Sequence, residues 1–123
     1  MIRGIRGAIT VDNNTKEEIG QAARTLVTKI MSMNGLKATE LSAVIFSVTK
    51  DLTAAFPASG LRQLKAFRLV PLFDTQEQYV EGSLPMCIRV LILVDTDQEP
   101  QEICHVYLGG AQKLRPDLAT DEK

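Results

Sequence analysis

Arg89 stands inside the most apolar run of the chain, among Met86, Ile88, Val90, Leu91, Ile92, Leu93 and Val94. A run this rich in Val, Ile and Leu reads as a strand covered on both faces. A guanidinium in such a strand costs free energy unless an anion meets it. Arg6 is a second arginine on a strand-like stretch, bracketed by Gly4 and Gly7. Arginines held on rigid strands suit bidentate capture of carboxylates. Glu77 and Tyr107 complete the set of side chains with a chemical use. Each of the four has a plainer reading beside the functional one. Arg89 could pair internally with a glutamate or be pinned to backbone carbonyls. Glu77 could be a solvated loop carboxylate, and Tyr107 a half-buried strand tyrosine.

Other chemistries find little support. No Gly-x-Ser-x-Gly is present, and His105 is the one histidine, so a nucleophile triad has no signature. The glycine pieces at 4–7 and 109–110 lack the spacing of a phosphate loop. Cys87 and Cys104 carry no metal-ligand spacing around them and read as free thiols. No cofactor and no metal are expected.

The positioning elements follow from periodicity. In 2–11, alternate residues Ile2, Gly4, Arg6, Ala8 and Thr10 share one face of a first strand. Thr15 and Glu18 have capping-box spacing, and Ile19, Ala22, Ala23, Leu26, Val27 and Ile30 form an apolar helical stripe that Gly35 stops. A strand is expected at 41–48, a short helix from Pro57 to about Leu64, and strands at 67–73, 86–94 and 102–108. Residues 74–85 read as a polar loop, and "RPDLATDEK" at 115–123 as a polar tail. The order β-α-β-α-β-β-β predicts an α+β domain: a mixed β-sheet with one long and one short helix. The doubly apolar 86–94 strand needs a second cover, for which a sister subunit is the simplest source.

The bulk properties agree. A chain of 123 residues is one domain, with 45% hydrophobic and 24% charged residues. A net charge of −1 and a pI near 5.8 argue against generalised attraction to nucleic acid or anionic membrane. No leader-like segment is evident and Arg89 interrupts the longest apolar run, so a cytoplasmic chain without membrane spans is expected.

Taken in order, "MIRGIRGAIT", "FPA" at 56–58, "VP" at 70–71, "QE" at 76–77, "CIRV" at 87–90, "HVYL" at 105–108 and "LRPDL" at 114–118 resemble the monofunctional α/β class of chorismate mutase. The resemblance runs from Ile2 to Leu118, so that 1–118 is the domain and 119–123 a polar tail. It implies a homotrimer whose sheets pack into a pseudo α/β-barrel, with an active site at each subunit interface. It implies that Arg89 donates to the ether oxygen of chorismate as the C–O bond breaks. Arg6 and Tyr107 would contact carboxylates and Glu77 the ring hydroxyl. Phe56, Ala58, Leu72, Phe73, Asp74, Thr75 and Gln76 would line the pocket, with Leu114 and Arg115 closing near it. Two positions depart from the family pattern: Ser59 stands where a lysine is expected, and Asp74 where a cysteine is common. Both bear on substrate affinity.

The implied reaction is the Claisen rearrangement of chorismate to prephenate, on the shikimate route to phenylalanine and tyrosine. It is unimolecular and needs neither nucleophile nor proton transfer, which matches so quiet a set of side chains. The alternative on a similar fold is a trimeric module that binds a small carboxylate or hydrolyses an imine. It would use the same arginines without needing Glu77.

Overall fold

A computed structural model describes residues 1–114. Strand β1 (Ile2–Thr10) leads into helix α1 (Lys16–Asn34), followed by β2 (Leu41–Val48), the short α2 (Ser59–Arg62), β3 (Leu72–Gln76), β4 (Cys87–Asp95) and β5 (Val106–Leu108). The expected element order is the observed one. The five strands form one mixed sheet in the order β3-β2-β4-β1-β5. β4 runs antiparallel to both neighbours, while the two outer pairings, β2–β3 and β1–β5, are parallel. The most apolar strand therefore lies at the centre.

Helix α1 begins where the sequence says it should. The Thr15 hydroxyl accepts from the Glu18 N–H at 3.2 Å. The return half of the box is displaced, because the Glu18 carboxylate accepts from Asn13 instead. Gly35 ends the helix in the left-handed region, at φ 63°, and its N–H and that of Leu36 reach back to carbonyls of the last turn. The helix buries Ile19, Ala23, Leu26, Val27 and Ile30 against Ile5, Val44, Phe46, Ile88, Ile92 and Val94 of the sheet. Each large apolar side chain removed from water here contributes roughly 1.5–3 kcal/mol.

Two glycines set how closely the layers approach. A Cβ on Gly7 would lie 2.8 Å from Ile30 and 2.9 Å from the Val106 carbonyl oxygen, so β1 accepts α1 and β5 only with glycine there. A Cβ on Gly60 would collide with the Gly20 carbonyl, so α2 crosses α1 backbone to backbone.

Three segments differ from their expected form. The 67–73 run is not a strand: Lys65–Phe67 is a 3-10 turn that buries Phe67, Leu69 is exposed, and pairing with β2 begins only at Leu72. Asp74, Thr75 and Gln76, read as loop, are strand. The last strand spans Val106–Leu108 rather than 102–108. Before it, the side-chain amide of buried Asn34 takes the place of a neighbouring strand: its Oδ1 accepts from Cys104 N–H at 2.8 Å and its Nδ2 donates to Cys104 O at 2.9 Å. The short helix covers Ser59–Arg62 rather than 57–64.

The face of the sheet away from α1 is open. It carries Ala43 and Ile45 from β2, Phe73 from β3, and Leu91 and Leu93 from β4. Leu91 is 38% and Phe73 64% exposed. The central strand is thus fully covered on its helix side and half covered on the other.

Candidate active site

The pairing register places one row of side chains across all five strands of the open face: Tyr107, Ala8, Arg89, Ser47 and Thr75. Arg89 is at its centre. The adjacent row holds Arg6, Leu91, Ile45 and Phe73. Arg6 and Arg89 therefore sit on the same face, on neighbouring strands and one step apart.

Glu77 directly follows β3, and its N–H donates to Val48 O at 2.8 Å, extending the parallel pairing by one bond. That puts its carboxylate back over the sheet, where Oε1 accepts from Arg89 Nε at 2.5 Å. The pair is half buried, with Arg89 37% and Glu77 18% exposed. Glu77 is not a solvated loop carboxylate. The polar partner of Arg89 within this chain is a glutamate, one of the partners the sequence left open.

Tyr107 lies one strand beyond β1 in the same row and is buried with Ala8, Cys87 and Ala111. Leu84 and Leu114 pack on that cluster, which brings Leu114 to the Arg89 side of the molecule. Arg6 is exposed, and its backbone N–H donates to Nδ1 of His105 at 2.9 Å. Burial pushes the Cys87 thiol up from its ordinary 9.0 to about 11. The Arg89 charge opposes that rise, and Glu77 and Asp51 add to it. Cys87 is thus a neutral neighbour of the arginine at physiological pH.

The remaining pocket residues gather elsewhere. Phe56, Ser59, Asp74, Thr75 and Gln76 line a groove of about 670 Å³ between β3, the start of α1 and the 52–59 connection. Phe56 is 65% exposed at its rim. Asp74 pairs in register with Phe46 and so lies on the helix side of β3, opposite in facing to Arg89. Its Oδ1 accepts from the buried Ala58 N–H at 3.0 Å, and its Oδ2 lies 3.8 Å from the Arg62 guanidinium. The negative charge expected beside the substrate is thus already engaged by the turn that starts α2. Leu72 packs against the core, while Phe73 stands on the open face. Arg115 falls outside the described residues, as does the 119–123 tail.

Sequence reasoning passed over Arg62, Thr49, Lys50 and Asp51. Thr49 and Asp51 have the spacing at which short polar side chains bond across a turn, and that was the available signal. The Thr49 hydroxyl donates to Asp51 Oδ1 at 2.5 Å, and Lys50 Nζ lies 3.7 Å from the centre of the Tyr79 ring. Among the described residues no group of His, Cys, Asp and Glu could hold a metal ion. What the site offers is a fork-shaped cation beside a carboxylate on a half-covered apolar sheet, the equipment for orienting an anion and stabilising charge.

The model of the family "Chorismate mutase type I" matches residues 2–118. This chain belongs to the type I chorismate mutases. It is 54% identical over 119 residues to Chorismate mutase AroH of Thermus thermophilus, covering 96% of this chain and 97% of that protein. It is 45% identical over 119 residues to Chorismate mutase AroH of Bacillus subtilis (strain 168), covering 97% and 94%. The solved chorismate mutase from Clostridium thermocellum superimposes with a TM-score of 0.87 at 42% identity, covering 90% of this chain and 98% of that one. The mixed sheet flanked by a long and a short helix is thus the fold of a type I chorismate mutase. Within that fold the row containing Arg89 and Tyr107 occupies the open sheet face.

Proposed function

We propose that this protein isomerises chorismate to prephenate, on the route to phenylalanine and tyrosine. The observation that carries the reading is membership of the type I chorismate mutases over nearly the whole chain, joined to the Arg89–Glu77 pair on the open face. The rearrangement is concerted: one C–O bond breaks while one C–C bond forms within the same molecule. The protein has to hold the compact reactive conformer and stabilise charge at the ether oxygen. Arg89 is always protonated and presents five donors in a fixed plane. One of them, on Nε, is committed to Glu77. This bond sets the orientation of the plane, and the guanidinium then donates to the ether oxygen. That bond strengthens as the oxygen gains negative character, which raises turnover rather than mere binding. Glu77 accepts from the ring hydroxyl, and Arg6 and Tyr107 hold carboxylates.

The working form in this reading is a homotrimer with sites between subunits. The half-exposed Leu91, Leu93, Ile45 and Phe73 support it, since an apolar sheet face of this kind is the surface that oligomers bury. So does the placement of the two halves of the site. The Phe56 groove lies at the β3 edge and meets the Arg89 row only at Thr75, two strands from the arginine, so a second chain can bring its groove to the arginine. The free thiols of Cys87 and Cys104 fit a cytoplasmic location. No helix among the described residues is long and apolar enough to cross a membrane. The test is chorismate consumption with prephenate identified as product. Tight binding of a small dicarboxylate with no turnover would replace this reading with the carboxylate-binding module.

A further inference from the structure

The connection 77–86 carries Glu77 at one end and enters β4 at the other, three residues before Arg89. Both ends stand on the same short segment, the end of β2 and the residues just after it. At the first, Val48 O accepts from Glu77 N–H at 2.8 Å. At the second, the Asp51 carboxylate accepts from Met86 N–H, with Oδ2 at 3.0 Å and Oδ1 at 3.2 Å. Thr49 adds two bonds to the next residue: its Oγ1 accepts from Cys87 N–H at 3.0 Å, and its N–H donates to Cys87 O at 3.1 Å. Val11 N–H holds Met86 O from the β1 side at 2.8 Å.

Met86 is the one non-glycine residue among those described with positive φ, at 54°. A methionine in the left-handed region is strained by its Cβ, which sits too close to the following carbonyl oxygen. Such strain persists only where the surroundings over-determine it, and it gathers at functional sites. The surroundings here are Asp51, Thr49 and Val11.

We infer that Asp51 is a positioning residue for the Arg89–Glu77 pair: by holding Met86 in its left-handed turn, it fixes the second foot of the 77–86 connection and sets the entry of β4. This rests on the chorismate mutase reading above. Without the carboxylate, Met86 relaxes toward negative φ. The peptide that leads into β4 turns with it, and the connection bearing Glu77 shifts relative to the guanidinium.

The experiment compares Asp51→Ala, Asp51→Asn, Met86→Gly and the Asp51→Ala/Met86→Gly pair by kcat, KM for chorismate, and denaturant midpoint. Asp51→Ala should lose on the order of 10- to 100-fold in kcat, the scale of a misplacement of about 1 Å, with KM moving much less. Asp51→Asn keeps one acceptor oxygen and should retain most of the rate. Glycine occupies positive φ without penalty, so the double variant should recover several-fold in kcat over Asp51→Ala. It should do so although its denaturant midpoint falls further, because the Met86 side chain packs on the core. A purely structural role cannot raise kcat while lowering stability. If Asp51→Ala keeps wild-type kcat, or if its loss tracks the folded fraction and glycine restores nothing, the positioning role is wrong and the function stands. An inactive wild-type protein would end both.

Discussion

Arg89 and Glu77 are joined across the intervening strand β2, Nε to Oε1 at 2.5 Å, so the cation of β4 is oriented by a carboxylate that arrives from beyond β3. The pair is half exposed rather than sealed. It is therefore a weak contributor to stability, and its value lies in aiming the guanidinium.

Arg89→Ala should accordingly leave the fold within about 1 kcal/mol of wild type, the range for pairs open to solvent. Turnover should fall by at least roughly 10²–10³, the usual result of removing one oxyanion-type donor. Arg89→Lys keeps the charge, loses the planar fork, and should recover only part of the rate. Denaturant melts run beside steady-state kinetics decide the matter. A folded Arg89→Ala protein with near-normal kcat would exclude Arg89 as the transition-state donor.

In the proposed mechanism Glu77 has two partners to serve, the guanidinium and the substrate hydroxyl. Glu77→Gln retains an acceptor oxygen for either, so it should keep more kcat/KM than Glu77→Ala. Both should fall below wild type, because neither sets a carboxylate against the Arg89 guanidinium. Equal, undiminished rates in the two variants would remove Glu77 from the site.

For assembly, the open face makes the sharper test. Sedimentation at micromolar concentration should show one species of about three times the 13.5 kDa chain mass. Leu91→Asp puts an unpaired charge in the middle of the apolar face and should release folded monomers. Those monomers should be inactive, since each would lack the groove of a neighbour. An active Leu91→Asp monomer would refute the interfacial site.

Cys87 gives a pH signature that separates fold from catalysis. Its thiol is raised from 9.0 to about 11 by burial, so between those values the folded chain holds a proton that the unfolded chain has released. The stabilisation is complete below about pH 9 and is lost as pH rises through 11, up to about 2–3 kcal/mol in all. Denaturant midpoints measured across that window should fall for wild type and fall less for Cys87→Ala. At neutral pH the native thiol should resist alkylation until the chain unfolds. Rapid alkylation of native Cys87 would contradict its burial.

Much of this architecture is written locally. Thr15 and Gly35 mark the ends of α1, and the 41–48 strand is found at its read boundaries, because a cap or an unbroken apolar run leaves the chain one good option. The misreadings occur where a distant group decides. Residues 67–73 look like a strand by composition. Yet Phe67 reaches the core from a turn, and β3 is an edge strand whose polar outer residues resemble a loop. Cys104 lies outside the strand because Asn34, seventy residues earlier, supplies the bonds to its backbone. The same limit applied to the site. The positions of Arg89, Arg6 and Tyr107 on strands were legible, while the Glu77 contact depends on one backbone bond to Val48 that no local pattern encodes.

The strand order has a consequence for how the protein is born. β1 and β2 do not pair with each other: each pairs with β4, in registers that join Ile2 to Asp95 and Leu41 to Val94. A nascent chain emerging from the ribosome holds both of these strands for as long as it takes to make some fifty further residues, with nothing to zip them together. α1 can coil in that interval but has no sheet to lie on. Assembly of the sheet must therefore be a late, nearly single event triggered by the arrival of β4, and slow by the measure of its long-range contacts. Until then Ile5, Val44 and Phe46 are available to any hydrophobic surface in the cell, which makes the unfinished chain a natural client for a chaperone.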